Sequence, residues 1–257
     1  MADEILLEWT YTPADLFEDR IELLVDACAF VIDAGTVVGH APVEGELPAD
    51  LGSFFNTMHQ RLDAAFLGAQ ILAHKAYKLS GPNNIVRLSS DGRRHAYVLA
   101  EVGTLNLSLG VVDVLIADGA GNVTVDTRAA RIARRRDIAL KASAHIADPA
   151  ANSILRSYSA AVNDPRNELI HLYEIRDAMQ KHFRSKGKAM KALNVSSAEW
   201  GAIGRLACYE PLLQGRHRGE HPGALRPATV EELSEARAIG RKMIERYLAH
   251  LETTGRP

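Results

Sequence analysis

DPAANSILRSYSAAVNDPRNEL, residues 148–169, decides how the second half of this chain folds. Asp148-Pro149 and Asp164-Pro165 each set a carboxylate directly before a proline. The carboxylate can accept from the unpaired N–H groups that open a helix, and proline suits the first helical position because it has no N–H to satisfy. Between the two signals Ile154, Leu155, Tyr158 and Val162 recur at the three- and four-residue spacing of one helix face. Beyond them Leu169, Leu172, Ile175, Met179 and Phe183 form a second stripe. Ser196 with Glu199 and Thr229 with Glu232 fit the capping box, in which side chain and backbone satisfy each other reciprocally. They open two further stripes: Trp200, Ile203, Leu206 and Ala207, then Leu233, Ala236, Met243, Tyr247 and Leu251. Four amphipathic helices bury such stripes against one another, which predicts an all-α four-helix bundle over residues 146–257.

Upstream the pattern changes. From about Thr127 a basic, helical connector carries Arg128, Arg131, Arg134, Arg135, Arg136 and Lys141 against Asp126 and Asp137. Before it the chain reads as short strands. Ile5 to Tyr11 is β-rich and stops at Pro13, and Ala29–Ile32 and Thr36–Val38 flank Asp33-Ala34-Gly35 as a hairpin. Residues 85–88 and 96–99 flank Asp91-Gly92, and Val111–Ile116 and Val123–Val125 flank residues 119–122, giving two more hairpins. Residues 51–79 read equally as helix and as strand. The expectation is therefore an α+β chain: an antiparallel β-rich domain over residues 1–143, in one or two sheets, followed by the bundle.

The composition of the 257 residues, 47% apolar and 24% charged, belongs to an ordinary folded domain and excludes a disordered or collagenous chain. Cys28 and Cys208 lie too far apart in sequence for a zinc or redox motif and read as buried thiols in a reducing compartment. With Asp3, Glu4 and Glu8 at the start and no run near the ~18 apolar residues of a membrane span, a cytoplasmic protein without membrane contact is expected. Thirty Lys and Arg against thirty-two Asp and Glu give a net charge of −2, so a nucleic-acid contact needs a local basic patch. Arg134, Arg135 and Arg136, with Arg218, are the candidates for an RNA backbone. His40, His59 and His74 have no neighbours at metal-ligand spacing, and no metal or other cofactor is expected. Gly119-Ala120-Gly121 lies between strands and lacks the helix that would receive a phosphate.

The chemistry concentrates in Gln214-Gly215-Arg216-His217-Arg218-Gly219-Glu220-His221-Pro222-Gly223, ahead of the last helix. A guanidinium is permanently charged and matches phosphate geometry, while an imidazole moves protons near neutral pH. Gly215, Gly219 and Gly223 are expected to supply the backbone freedom that lets Arg216 and His221 converge. Arg166-Asn167-Glu168-Leu169-Ile170-His171 repeats the spacing. On one continuous helix its Arg166 and His171 would stand about 140° apart, which ranks it second.

This R-x4-H form, with a polar residue after the arginine and a place late in a helical bundle, resembles the HEPN superfamily over residues 146–257. The resemblance implies a metal-independent endoribonuclease acting on single-stranded RNA, often in stress or phage defence. Arg216 and His221 would be catalytic, with His217 beside them, and Arg166 with His171 is the second candidate pair. It further implies transesterification, with the histidine taking the ribose 2′-OH proton, and a homodimer whose two motifs share one site. Where one toxin branch of the family carries a tyrosine, this chain has Gly223. The alternative is a non-catalytic protein whose bundle dimerises or docks a partner or ligand.

Overall fold

A computed structural model describes residues 3–25, 27–43, 51–82, 84–88, 94–98, 113–117, 123–220 and 223–254. The chain divides into two units, residues 1–69 with 77–144 and residues 70–76 with 145–257. The division falls after Ala144, later than the change of pattern at about Thr127, and the segment Gln70–Ala76 joins the second unit from far upstream.

In the first unit β1 (Asp3–Thr12) lies between two partner strands, and apart from Leu6 its residues from Glu4 on alternate between an apolar and a polar face. Ile5, Leu7, Trp9 and Tyr11 are buried, whereas Glu8 and Thr10 are exposed. Strands β2 (Ile21–Val25), β3 (Cys28–Asp33), β4 (Thr36–Val43), β6 (Asn84–Leu88) and β7 (Arg94–Val98) complete the order β2-β3-β4-β1-β6-β7. The short β5 (Lys78–Leu79) pairs with the end of β1, and β8 (Leu115–Ala117) pairs separately with β9 (Val123–Asp126).

The first expected hairpin is present, and it turns on Ala34 and Gly35, both at positive φ, the backbone that a tight two-residue hairpin turn needs. The second hairpin is β6–β7, whose Asp91-Gly92 turn lies outside the described residues. Gly39 of β4 is dictated by packing, since a Cβ there would lie 2.8 Å from the Trp9 ring. Residues 51–79, which the sequence left open, are mostly helix: α1 spans Leu51–Ala73. Its Phe66 meets Tyr11 and Phe17 edge-on at 4.9 and 5.0 Å between ring centres. Helix α2 (Thr127–Ala144) crosses α1 closely, for a Cβ on Gly68 would lie 2.7 Å from the Ile138 carbonyl oxygen. Among the described residues, it is helix that packs on the buried sheet face.

The second unit is all-helical, with α3 (Pro149–Asn163), α4 (Glu168–His182), α5 (Lys186–Leu193), α6 (Ser197–Gly204) and α7 (Val230–Thr254). Helix α4 packs against all four others. The four expected stripes are largely buried, Ile154, Leu155 and Tyr158 on α3 and Leu169, Leu172, Ile175 and Met179 on α4 among them. The predicted caps operate: Asp148 accepts from Ala151 N at 2.7 Å, and Ser196 and Glu199 form a complete box. Thr229 and Glu232 exchange bonds of 2.8 and 3.2 Å. The bundle differs from four helices in α5, which opens on the Ser185 cap and closes on left-handed Asn194, and in one π-helical turn, Arg205–Tyr209, that prolongs α6. Asp164 caps no long helix directly. A 3-10 turn, Pro165–Asn167, follows it, and α4 begins only at Glu168.

Candidate functional site

The corner between α3 and α4 and the loop after the π-helical turn come together in the second unit. The loop is closed at its base by backbone bonds, Leu213 N–H to the Arg226 carbonyl and Arg226 N–H to that of Pro211, both at 2.9 Å. Its first turn is seated by Arg216 N–H on the Ala207 carbonyl at 2.7 Å. Gly215 is required there by close approach, because a Cβ would lie 3.1 Å from the Ala207 oxygen and 3.2 Å from that of Leu212. Of the three glycines expected to free the backbone, only Gly223 has positive φ, and Gly219 faces open space.

Arg218 ties this loop to the corner. Its guanidinium donates to the carbonyls of Gly215 and Arg166, each at 3.0 Å, and to Asn167 Oδ1. Asn167 Nδ2 in turn donates to Asp164 Oδ2 at 2.7 Å, and the same carboxylate oxygen lies 3.4 Å from His171 Nε2. Asn167, then His171 and the Arg166 backbone N–H, hold the Asp164 carboxyl below the ordinary carboxylate range by donating to its charged form. Glu174 Oε2 sits 3.5 Å from the other imidazole nitrogen of His171. A hydrogen-bonded chain thus runs from Arg218 through Asn167 and Asp164 to His171. Each of the two Arg/His motifs of the sequence contributes to it.

The rotational objection to the second pair is corrected by this geometry. Arg166 stands in the 3-10 turn, before the first residue of α4, so its direction is not set by the helical repeat that carries His171. Arg166 is exposed, and its guanidinium has no hydrogen bond or ion pair among the described residues. It borders a cavity of about 490 Å³ together with Pro165, Leu213, Gln214, Arg218 and Pro227.

Arg216 is engaged elsewhere. Its guanidinium carbon lies 4.6 Å from the centre of the Tyr173 ring, and its Nη1 is 3.6 Å from Asp177 Oδ2. Arg176 lies over the same ring at 4.0 Å and donates to the Tyr173 hydroxyl at 2.5 Å. Arg176 belongs to α4 like the ring itself, so it is Arg216, over the Tyr173 ring and near Asp177, that fastens the loop to α4. His217 is nearly half exposed and pairs with Glu220 at 3.0 Å. His221 lies outside the described residues.

Directly beneath the corner is a buried polar cluster that sequence reasoning missed. Glu168, 1% exposed, receives two hydrogen bonds from Arg237 of α7, that from Nη2 at 2.8 Å. His74 stands 3.5 Å from Glu168 and 3.2 Å from the Tyr158 hydroxyl. Burial, and then Arg237, push the His74 imidazole below its ordinary value. The only signal in the sequence was Glu168 itself, a charge at a position the apolar stripe would bury.

In the first unit the basic connector is an exposed helix face in part only. Arg135 is buried and donates to the Leu16 carbonyl at 2.8 Å with Glu18 beside it at 3.0 Å, so it is corrected from an RNA-backbone contact to a structural cation. Arg131 binds Glu18 and Asp113, and Arg128 binds Asp19. These acids come from segments remote in sequence, which is why the connector looked unneutralised. Arg134 and Arg136 are exposed.

Among the described residues no three His, Cys, Asp or Glu side chains come together as a metal site, and no helix is long and apolar enough to cross a membrane. Compared with protein-family models, curated proteins and solved structures, this chain matches none.

Proposed function

We propose that the protein is a metal-independent endoribonuclease that cleaves single-stranded RNA at the α3–α4 corner. The observation that carries the reading is the Arg218 tie, which joins the loop of one Arg/His motif to the α3–α4 corner of the other, beside a cavity that Arg166 and Arg218 both line. The scissile phosphate rests on Arg166, whose charge stabilises the oxyanion that builds as the phosphorus becomes five-coordinate. His171, oriented by Asp164 at Nε2, is the base, and Nδ1 takes the ribose 2′-OH proton as the hydroxyl comes in ahead of Glu174. The 2′-oxygen bonds to phosphorus, the bond to the 5′-oxygen breaks, and that oxygen leaves with a proton from a second imidazole. His221 or His217 of the loop supplies it, in one protomer or across a homodimer. The products are a 2′,3′-cyclic phosphate and a 5′-hydroxyl, and atoms and charge balance without a further reactant.

Purified protein incubated with single-stranded RNA in a chelator tests this. Wild type cleaves, and Arg166→Ala, His171→Ala and the double variant His217→Ala/His221→Ala each lose at least a hundred-fold in rate, the scale of one acid–base or oxyanion group. Equal cleavage by wild type and His171→Ala removes that imidazole from the reaction.

A second reading has its own observation. Arg216, the arginine ranked first in the sequence, is held by Tyr173 and Asp177 as a packing cation, as in a loop whose role is to stabilise a partner-binding bundle. Intact RNA after incubation with wild type favours that reading.

A further inference from the structure

The cavity beside Arg166 has a chemistry that phosphate binding alone does not use. Pro165, Leu213 and Pro227 give it apolar walls, and Arg166 and Arg218 also line it. Gln214 accepts from Ala228 N–H through Oε1 at 3.0 Å, which fixes its amide. Its Nε2 has no partner among the described residues, and Gln214 is one of the residues that line the cavity. About 490 Å³ falls within the range of small-ligand pockets, mostly apolar with a few placed polar groups. A bare phosphate would leave the apolar walls uncovered, and an aliphatic anion would leave the amide donor unused.

We propose that this cavity is a base subsite, taking one unstacked nucleobase of the RNA next to the phosphate held by Arg166. This rests on the endoribonuclease reading and names what the same site recognises. A flat ring slides between the proline and leucine walls, and an arginine plane stacks on its face, as bases in single strands are commonly held. Gln214, with its carbonyl oxygen occupied, has only N–H donors left to give. It therefore suits uracil, whose edge presents carbonyls and no amino group, over the amino edge of adenine. Leu213 is 43% exposed, so the side chain that shapes the cavity can be changed without opening the core.

The experiment uses the full chain and short 2′-O-methyl oligonucleotides, which bind but lack the attacking hydroxyl. Fluorescence anisotropy compares a strand with one central uridine, the same strand with adenosine, and the same strand with an abasic residue there. Wild type is expected to bind the uridine strand about ten-fold or more tighter than the abasic one, the size of one base contact. Leu213→Trp, which fills the cavity, erases that difference, and Gln214→Ala reduces the preference for uridine over adenosine. Unchanged thermal melts show that both variants fold. Equal binding of uridine and abasic strands by wild type, or a base preference that survives Leu213→Trp, overturns the subsite. Since no strand here is cleavable, a base preference in a protein that leaves ordinary RNA intact supports the subsite and refutes the nuclease. Cleavage without base preference does the reverse.

Discussion

Removing Arg237 should cost the helical unit more than removing the charge of its partner, although the two form one ion pair. Glu168 opens α4 and is 1% exposed, whereas the Arg237 side chain on α7 is 29% exposed. In Arg237→Met the carboxylate stays where water cannot reach it and loses both guanidinium hydrogen bonds. Breaking a buried pair from one side costs about 3–5 kcal/mol. His74, 3.5 Å away, offers partial relief if it takes a proton, so about 3 kcal/mol is expected at neutral pH. Glu168→Gln keeps the shape and one acceptor, and Arg237 can turn part of its charge to solvent. Its cost should be about 1–2 kcal/mol. The double variant contains no buried charge, so the two losses should fall short of additivity by about 1 kcal/mol or more. Urea unfolding followed by Trp200 emission, in a Trp9→Phe background, reports on the helical unit. An Arg237→Met cost below 1 kcal/mol, or equal to that of Glu168→Gln, would refute the argument from burial.

Other perturbations follow the same physics. Lys242 and Ser196 hold the Glu199 carboxyl at about 2, and Arg226 does the same for Glu232. Their stabilisation is complete above the ordinary glutamate value of about 4.3 and lost as pH falls towards 2. Thermal melts between pH 7 and 3 should therefore decline more steeply for wild type than for Glu199→Gln. His74 is kept neutral by burial among Arg237, Arg241, Glu168 and Tyr158, so the unfolded chain takes up its proton first as pH falls. Stability should be fullest above the ordinary histidine value of about 6.5 and fall below it, and His74→Gln should flatten that fall between pH 7.5 and 5.5. Arg135→Ala should destabilise the first unit by about 1–2 kcal/mol, leaving the Leu16 carbonyl short of a donor while Arg131 still holds Glu18. Exposed Arg136→Ala should stay within about 0.5 kcal/mol in the same denaturation assay.

What could be read from the sequence was local. Caps at Asp148, Ser196 and Thr229 involve neighbours three residues away, and the stripes of α3 and α4 repeat within a few turns, so both were visible. Helix α1 was ambiguous because Leu62 and Ala64 to Leu67 are all buried, which removes the periodicity that separates helix from strand. Helix α5 escaped because eight residues with Ala189 and Leu193 buried make too short a stripe. At the candidate site, residue types and spacing were legible but their meeting was not. Arg218 reaches Asn167 across 51 positions, and His74 reaches Glu168 from the other half of the chain. Arg216 has contacts the spacing did not show, with its guanidinium over the Tyr173 ring and 3.6 Å from Asp177.

The central claim is that an internal 2′-oxygen is the nucleophile at an arginine-held phosphate. The direct measurement is cleavage, in a chelator, of an RNA carrying one 2′-deoxy residue at a linkage that the all-ribose strand shows to be cut, with the new ends identified by mass spectrometry. The account predicts that this linkage alone becomes resistant while others still yield 2′,3′-cyclic phosphate and 5′-hydroxyl ends. Cleavage at the deoxy linkage, or products bearing a free 3′-hydroxyl, would contradict it.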